Sequence, residues 1–420
     1  MPIEIPYLRL LLAWKTGWLD RRAGKLADLI DWSAWQPGRP TILCLDRAQF
    51  RKDIDELRTR TPYNWVKLGA TRPKRFQAPW VAEKYRIQTY FTHYLDTRAR
   101  HLKAGLEAFG AAFLTAALKV HPVDAVMAGN TDYWQDDAIK LGCRKLGIPF
   151  LVLGRENYTK KIDADKLTKR FRDAKLAFSG AGVAVLSKDT RDVMVGSGSF
   201  PAADVWVTGA PRFDRWLDVG SVPDDERVYI TFLSYADPVY LAQQNFAECL
   251  RILAEAARAN TNPKLKFIVK VKKPSEIEPV EAAFPEIRQY PIEIVWDAAL
   301  YDIYPRSRII IGYNTLAAAE GFFTEAPVVF PTWGDALRDP SETLIHFDNP
   351  VDAAAAYFPR SAGELRQLID QAVAGQLRTK GTREQRLQSF RRHISVPANG
   401  TCSAEVQKFV EHYLGKARKG

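Results

Sequence analysis

The chain has 420 residues, of which 46% are hydrophobic and 26% charged; this composition is typical of a folded protein with room for two cores. Its 60 basic and 49 acidic side chains give a formal net charge of +11, so we expect a surface that attracts phosphorylated substrates or acidic lipids. The four cysteines are too far apart for a disulfide framework or a zinc motif, and no nucleic-acid-binding motif accompanies the basic charge, so nucleic acid is not a predicted partner.

The N-terminal segment, residues 7–30, alternates apolar and basic side chains. No signal peptide is recognisable, and no run approaches the roughly 20 apolar residues that a membrane span needs. The pattern predicts an amphipathic helix, which either packs on the N-terminal domain or lies on an anionic bilayer. We therefore expect a cytoplasmic protein, with the inner face of the cytoplasmic membrane as a candidate contact.

From residue 40 onward, short apolar strands alternate with helical patterns. In the first half we predict strands at 41–45, 124–128, 150–153, 183–186 and 204–208. Long helical patterns cover 49–58 and 83–118. The Gly/Pro/Asp-rich stretch at 218–226 is typical of a domain boundary.

The same alternation restarts after this boundary. We predict strands at 228–232, 266–271, 292–296, 309–311 and 328–330, and helices at 239–259, 300–306 and 315–323. Strands that alternate with helices form parallel sheets covered on both faces. The predicted fold class is therefore α/β, with two Rossmann-like halves.

The strongest functional signal is the segment RIIIGYNTLAAAEGFFTEAPVVFP, residues 308–331. A strand ends at Gly312, where the backbone can be approached closely, and Asn314 or Thr315 can cap the following helix. Free backbone N–H groups at a helix start bind anions such as a diphosphate, and ligands of parallel sheets bind at the carboxyl ends of the strands. Glu320 is then placed to accept hydrogen bonds from ribose hydroxyls; the alternative is an ordinary surface helix residue.

This order of strand, small-residue loop, Glu-bearing helix and apolar strand resembles the donor site of GT-B glycosyltransferases. In them the loop binds the nucleotide phosphates and the glutamate binds the ribose. The resemblance implies donor-binding roles for Tyr313, Asn314, Thr315 and Glu320. Ala326 stands where the family usually has glycine.

The resemblance also implies two Rossmann-like domains that face each other across a cleft. Residues 1–222 would form the acceptor-side domain and residues 223–360 the nucleotide-sugar-binding domain. The C-terminal helices, residues 361–420, would cross back to the first domain.

A second segment, VTGAPRFDRW at 207–216, resembles the end of the first domain in surface-polysaccharide transferases. It is similar as well to the polyol-phosphate polymerases of teichoic acid synthesis and to UDP-N-acetylglucosamine 2-epimerases. Gly209 and Pro211 are expected to shape a turn at the cleft, and Arg212 and Asp214 to pair and fix the hinge.

The strand FIVKVKKP, residues 267–274, ends in three lysines. Strand alternation puts Lys270 and Lys272 on one side, where they would hold a diphosphate or an acidic sugar; the alternative is an exposed charged strand end. In polyol-phosphate polymerases the matching strand usually ends in Lys-x-His-Pro, whose histidine is thought to act in catalysis. Lys273 stands in its place here, which favours sugar transfer over phosphotransfer.

The segment LGRENYTKK, residues 153–161, follows a strand of the first half. Some surface-polysaccharide transferases, the β-Kdo transferases of capsule synthesis among them, have an acidic residue with basic neighbours here. Glu156 is therefore the candidate general base or acceptor-positioning residue, with Asp132 and Asp46, also at strand ends, as alternatives.

The sequence contains no metal-ligand cluster, P-loop or dinucleotide fingerprint, so we predict neither a metal nor a cofactor. The predicted activity is transfer of a sugar from a nucleotide-activated donor to a surface-polysaccharide or lipid-linked acceptor. The alternatives are a CDP-polyol phosphotransferase, a UDP-GlcNAc 2-epimerase-like enzyme, and a non-catalytic nucleotide-sugar-binding assembly protein.

Overall fold

The computed structural model divides the chain into two compact units. Unit 1 comprises Met1–Thr159, Asp163–Arg215 and Ile394–Gly420, and unit 2 comprises Lys160–Ile162 and Trp216–His393. The structure describes residues 5–48, 50–81, 83, 100–131, 133–155, 157, 160–173, 178–236 and 242–417.

Unit 1 is built on a six-stranded parallel sheet in the order β2-β1-β3-β4-β5-β6. The strands are β1 Thr41–Asp46, β2 Asn64–Gly69, β3 Ala125–Ala128, β4 Phe150–Leu153, β5 Gly182–Val185 and β6 Val205–Val207. The helices of its first part are α1 Ile5–Lys15, α2 Trp18–Ala27, α3 Arg51–Arg60, α4 Thr71–Gln77, α5 Arg100–Leu118, α6 Asp137–Leu146, α7 Lys161–Asp173 and α8 Lys188–Gly196. The β1, β3, β4 and β5 strands are almost entirely buried, as expected for a parallel sheet with both faces covered.

Two glycines allow α5 and α6 to cross at close range on one face of this sheet. A Cβ atom at Gly110 would lie 1.7 Å from the carbonyl oxygen of Ala138, and one at Gly142 would lie 2.3 Å from the carbonyl carbon of Gly110. The helices therefore touch backbone to backbone, which no larger residue at these positions permits.

The C-terminal helix α16, Cys402–Ala417, packs on the other face of the unit 1 sheet. Its buried side chains share a core with β1, β3 and β4; they are Val406, Phe409, Val410, Tyr413 and Leu414. The carboxylate of Asp214 accepts the backbone N–H groups of Cys402 and Ser403, each at 2.7 Å, and so satisfies the first amides of the helix.

Unit 2 is built on a five-stranded parallel sheet in the order β11-β10-β7-β8-β9. The strands are β7 Tyr229–Leu233, β8 Lys266–Lys270, β9 Ile292–Val295, β10 Ser307–Ile311 and β11 Val328–Val329. Its helices are α9 Gln243–Ala259, α10 Ile277–Ala283, α11 Leu300–Ile303, α12 Leu316–Ala319, α13 Pro350–Ala355, α14 Ala362–Val373 and α15 Arg383–Arg391. α14 and α15 thus belong to unit 2, whereas α16 belongs to unit 1.

Several expected helices differ in extent. The N-terminal helix is two helices, α1 and α2, separated at Gly17, whose φ of 67° is left-handed. The helix expected at 83–118 is described only as α5, from Arg100, since residues 82 and 84–99 lie outside the described residues. None of the described helices is both long enough and apolar enough to cross a membrane.

Candidate functional site

The loop after β10 lies at the carboxyl edge of the unit 2 sheet, where the sequence predicted the donor site. Gly312 also has a packing role. A Cβ atom there would lie 2.7 Å from the Cβ of Ala318, so the glycine lets α12 pack closely on the sheet. The neighbouring Tyr313 is buried.

Asn314 organises the loop. Its φ of 43° is left-handed, a conformation that asparagine tolerates better than most residues. Its side-chain amide donates to the carbonyl of Glu342 (3.1 Å) and accepts the N–H of Leu344 (2.9 Å). Asn314 therefore fixes the 342–344 segment beside the loop.

The helix expected over 315–323 is shorter than predicted. Thr315 caps it, as expected, by accepting the N–H of Ala317 at 3.3 Å. However, the α-helix spans only Leu316–Ala319 and then tightens into a 3-10 helix, Glu320–Phe323. A four-residue helix has a small dipole, so any phosphate bound here needs side-chain cations as well.

Glu320 lies at the junction of these two helical pieces, and a hydrogen bond from a buried tryptophan holds its carboxylate. The indole Nε1–H of Trp216 donates to its Oε2 at 3.0 Å. Trp216 is fully buried, with its ring nearly parallel to those of Tyr304 and Phe323. Glu320 is only partly buried, and the hydrogen bond from a buried aromatic cluster fixes its carboxylate.

A small pocket opens beside this loop. One of its lining residues is an arginine, Arg338, that the sequence analysis did not predict as a site residue. Tyr313, Asn314, Arg338, Thr343 and His346 are among the residues that line it. Burial raises the pKa of the Tyr313 hydroxyl, and the nearby Arg338 opposes that rise. No sequence motif marked Arg338, which follows a 3-10 helix at 334–336 rather than a strand.

The two predicted donor lysines have different environments. The Lys270 ammonium donates to the carbonyls of Val271 (2.6 Å) and Trp296 (2.9 Å), and so ties the ends of β8 and β9 together. Lys272 lies beyond the end of β8 and is exposed. Only Lys272 therefore presents its charge openly to solvent.

Of the acceptor-side candidates, the structure places Asp46 at the carboxyl edge of the unit 1 sheet. Glu156 and Asp132, the two predicted catalytic carboxylates, lie outside the described residues. Asp46 ends β1, and its carboxylate accepts a hydrogen bond from Arg51 at 3.2 Å.

Two polar groups at this edge have defined partners. One Arg47 nitrogen donates to both oxygens of the buried Asp136, each at 3.1 Å; burial raises the pKa of that carboxyl, and Arg47 opposes the rise. Asn157, which the sequence placed after β4 together with Glu156, accepts the hydroxyls of Ser187 (3.0 Å) and Thr190 (3.2 Å). The Arg47–Asp136 pair was not predicted, although Arg47 directly follows a parallel strand, as a site residue of this fold class does.

The expected hinge segment has a structural role within unit 1, but the pairing differs from the expectation. Pro211 begins a 3-10 helix, Pro211–Leu217. The Arg212 guanidinium binds Asp53 on α3 at 2.8 Å, whereas Asp214 caps α16. The structure gives Arg212 and Asp214 separate partners in place of the expected mutual pair.

The described part of the chain holds no group of three or more His, Cys, Asp or Glu suited to a metal ion.

No protein-family model and no curated protein matches the chain. Among solved structures, a variant of the wall teichoic acid polymerase TagF is 10% identical with a TM-score of 0.51, and the match covers all of both chains. A putative UDP-N-acetylglucosamine 2-epimerase from Listeria monocytogenes is also 10% identical, with a TM-score of 0.50 over 90% of this chain and 97% of the other. The chain has a GT-B fold. Its two parallel sheets are the two Rossmann-like halves of that fold, as the sequence predicted.

Proposed function

We propose that the protein is a glycosyltransferase that moves a sugar from a nucleotide-activated donor to a surface-polysaccharide or lipid-linked acceptor. The observation that carries the proposal is the Trp216-held carboxylate of Glu320, one turn after the β10 loop at the carboxyl edge of the unit 2 sheet. A carboxylate fixed in this way accepts both hydroxyls of a ribose without first losing side-chain entropy.

For the donor, we assign the ribose to Glu320 and the diphosphate to the loop at Tyr313, Asn314 and Thr315. Two cations support the phosphates in this assignment: Arg338, which lines the pocket beside the loop, and the exposed Lys272. Together they neutralise the charge that develops on the departing nucleoside diphosphate, so the proposal needs no metal ion.

For the acceptor, we assign unit 1. In the proposed reaction an acceptor hydroxyl attacks the anomeric carbon, the bond from that carbon to the diphosphate oxygen breaks, and a carboxylate takes the hydroxyl proton. Glu156 is the proposed general base, with Asp132 as the second candidate and Asp46 as the third. Gly209, Pro211, Arg212 and Asp214 carry the chain from unit 1 towards unit 2 and have no chemical role in this scheme.

Product analysis tests the proposal. Purified protein is incubated with nucleotide-activated sugars and a membrane extract as acceptor, and the products are separated by chromatography. Glycosyl transfer releases the nucleotide only when the acceptor is present and labels the acceptor with the sugar. Conversion of the sugar at C2 without acceptor would show an epimerase. Release of CMP from a CDP-polyol would show phosphotransfer, and nucleotide binding without any turnover would show an assembly protein.

Trp216→Phe tests whether the indole positions Glu320. Phenylalanine keeps an aromatic ring beside Tyr304 and Phe323 but removes the Nε1–H donor and leaves a small cavity, so we expect a stability loss of about 1–3 kcal/mol. Nucleotide affinity should fall by about three- to tenfold because the carboxylate is no longer held. Isothermal calorimetry gives the affinity and urea unfolding the stability. An unchanged affinity together with the lower stability would leave Trp216 a purely structural role.

We also propose that the protein works at the inner face of the cytoplasmic membrane, where lipid-linked acceptors and the growing chains of a capsule or other surface polysaccharide are found. The support is the basic and apolar N-terminal region of unit 1.

A further inference from the structure

The first two helices of unit 1 expose apolar side chains that a folded protein usually buries. The exposed fraction is 64% for Ile5, 47% for Leu8, 65% for Leu12, 45% for Trp14 and 47% for Trp18. We call these five residues the N-terminal surface. An apolar group of this kind on a monomer marks a site of interaction.

The N-terminal surface is fixed to the body of unit 1 and is not a loose tail. Leu10 and Ala13 of α1 are buried. A Cβ atom at Gly105 of α5 would lie 2.4 Å from Cδ2 of Leu10, so the leucine fills the place of a side chain on α5. One face of α1 is therefore held by unit 1 while another is presented outward.

Three exposed apolar residues of α1 form a stripe bordered by charge, while the fourth, Trp14, lies about 150° around the helix from it. Ile5, Leu8 and Leu12 follow the i, i+3, i+7 spacing of one helix face. At 100° per residue, Arg9 lies on one side of this stripe and Lys15 on the other, and both are exposed. An apolar stripe between cations is the pattern of helices that lie in the plane of a membrane interface.

The neighbouring helices extend the positive charge. α2 contacts both α1 and α4. Arg22 of α2 fixes α4: its Nε donates to the carbonyl of Phe76 at 3.0 Å, and its guanidinium lies 5.2 Å from the ring centroid of Trp18. Across these three helices the exposed cations are Arg9, Lys15, Arg21, Lys25, Arg72, Lys74 and Arg75. The exposed acids of the same region are fewer, namely Asp20 in α2 and Asp28 and Asp31 just beyond it.

We propose that the N-terminal surface docks unit 1 on an anionic lipid bilayer, with Ile5, Leu8 and Leu12 inserted among the acyl chains and the cations on the headgroups. Trp18, which follows the Gly17 turn, suits the interface, because an indole has an apolar body and a polar N–H. A second copy of the chain is a poorer occupant, since two such basic surfaces repel each other. Docking would bring the transferase to its acceptor, and this purpose depends on the proposed function.

Vesicle flotation tests this docking without any nucleotide or acceptor. We expect the full chain to float with vesicles of phosphatidylcholine and phosphatidylglycerol, and to bind pure phosphatidylcholine much more weakly because each cation near an anionic surface adds about 1 kcal/mol. Added salt should release the protein. Leu8→Ser/Leu12→Ser should lower the partition coefficient by about tenfold or more, since it removes inserted apolar area. Arg9→Gln/Lys15→Gln should lower it by about thirtyfold on the anionic vesicles alone, since two cations are lost.

The matched control replaces two exposed leucines elsewhere, Leu146→Ser/Leu337→Ser, and should float like the wild type. All variants change exposed residues, and their unfolding midpoints should match. The docking proposal is overturned if the wild type does not bind anionic vesicles. It is also overturned if the Leu8/Leu12 variant binds them as strongly as the wild type does. A third contradicting result is a wild type that is dimeric while the Leu8/Leu12 variant is monomeric. That result would mean that the N-terminal surface binds a second copy of the chain. Vesicle binding with no sugar transfer would contradict only the proposed enzymatic function.

Discussion

Gly209→Ala is expected to destabilise unit 1 by about 3 kcal/mol or more and to release the C-terminal helix. Gly209 has a φ of 70°, which costs an L-residue about 1–2 kcal/mol. In addition, its Cβ would lie 1.9 Å from the carbonyl oxygen of Ser395 and 2.7 Å from Sγ of Cys402. Both contacts lie where the C-terminal segment returns to unit 1, so the added methyl group must displace that segment.

Gly198→Ala is the matched control. Gly198 is in the same unit with a φ of 76°, but a Cβ there meets nothing within 4 Å. It isolates the backbone strain, which should cost about 1–2 kcal/mol. Urea unfolding measures both variants, and limited proteolysis shows whether residues 395–402 become cleavable. Equal costs for the two variants would mean that the Ser395 contact is unimportant.

Glu320→Gln is expected to weaken nucleotide binding by about ten- to a hundredfold. The amide oxygen can still accept the Trp216 N–H, so the aromatic layer beneath should be kept. The charge and the second acceptor oxygen are lost, and a hydrogen bond to a charged group contributes about 1.5–3 kcal/mol. Calorimetric titration with the best-binding nucleotide measures the change.

Glu278→Gln is the control for this substitution, because Glu278 is an exposed residue of α10 in the same unit. It removes one negative charge from unit 2 and should leave the affinity unchanged. If Glu320→Gln binds as tightly as Glu278→Gln does, ribose recognition by Glu320 is ruled out, and the residue serves only to hold Trp216.

The alternation of strands and helices was predictable because buried parallel strands are short apolar runs between turns. The strand that was missed is β2, NWVKLG, at the edge of the unit 1 sheet. Asn64 and Lys67 interrupt its apolar pattern; the strand tolerates them because the buried Asn64 amide donates to the carbonyls of Gln36 and Arg39, and Lys67 pairs with Asp55. The position of the Glu320 loop was predictable for a related reason, since it follows the end of a buried strand.

The contacts that define the site were not predictable, because each joins residues far apart in the sequence. Trp216 is 104 residues from Glu320, and Arg212 is 159 residues from its partner Asp53. The expected pair of Arg212 with Asp214 was based on nearness in the sequence, whereas burial of α16 places Asp214 at its N-terminus. The helix over 315–323 was overestimated, because its composition favours a helix but Gly321 packs tightly against Val328 of β11.

Thermal unfolding of the wild-type protein with UDP, CDP, CMP, GDP and dTDP tests most directly whether the chain binds a nucleotide-activated donor. A nucleotide at 100 times its dissociation constant stabilises the folded state by about 2.7 kcal/mol, which raises the midpoint of a domain this size by about 2–4 °C. We expect one of the five to produce such a shift, and CMP would indicate an acidic sugar such as Kdo. If none of them raises the midpoint, the donor-site assignment is contradicted, and a role that needs no nucleotide becomes the better account.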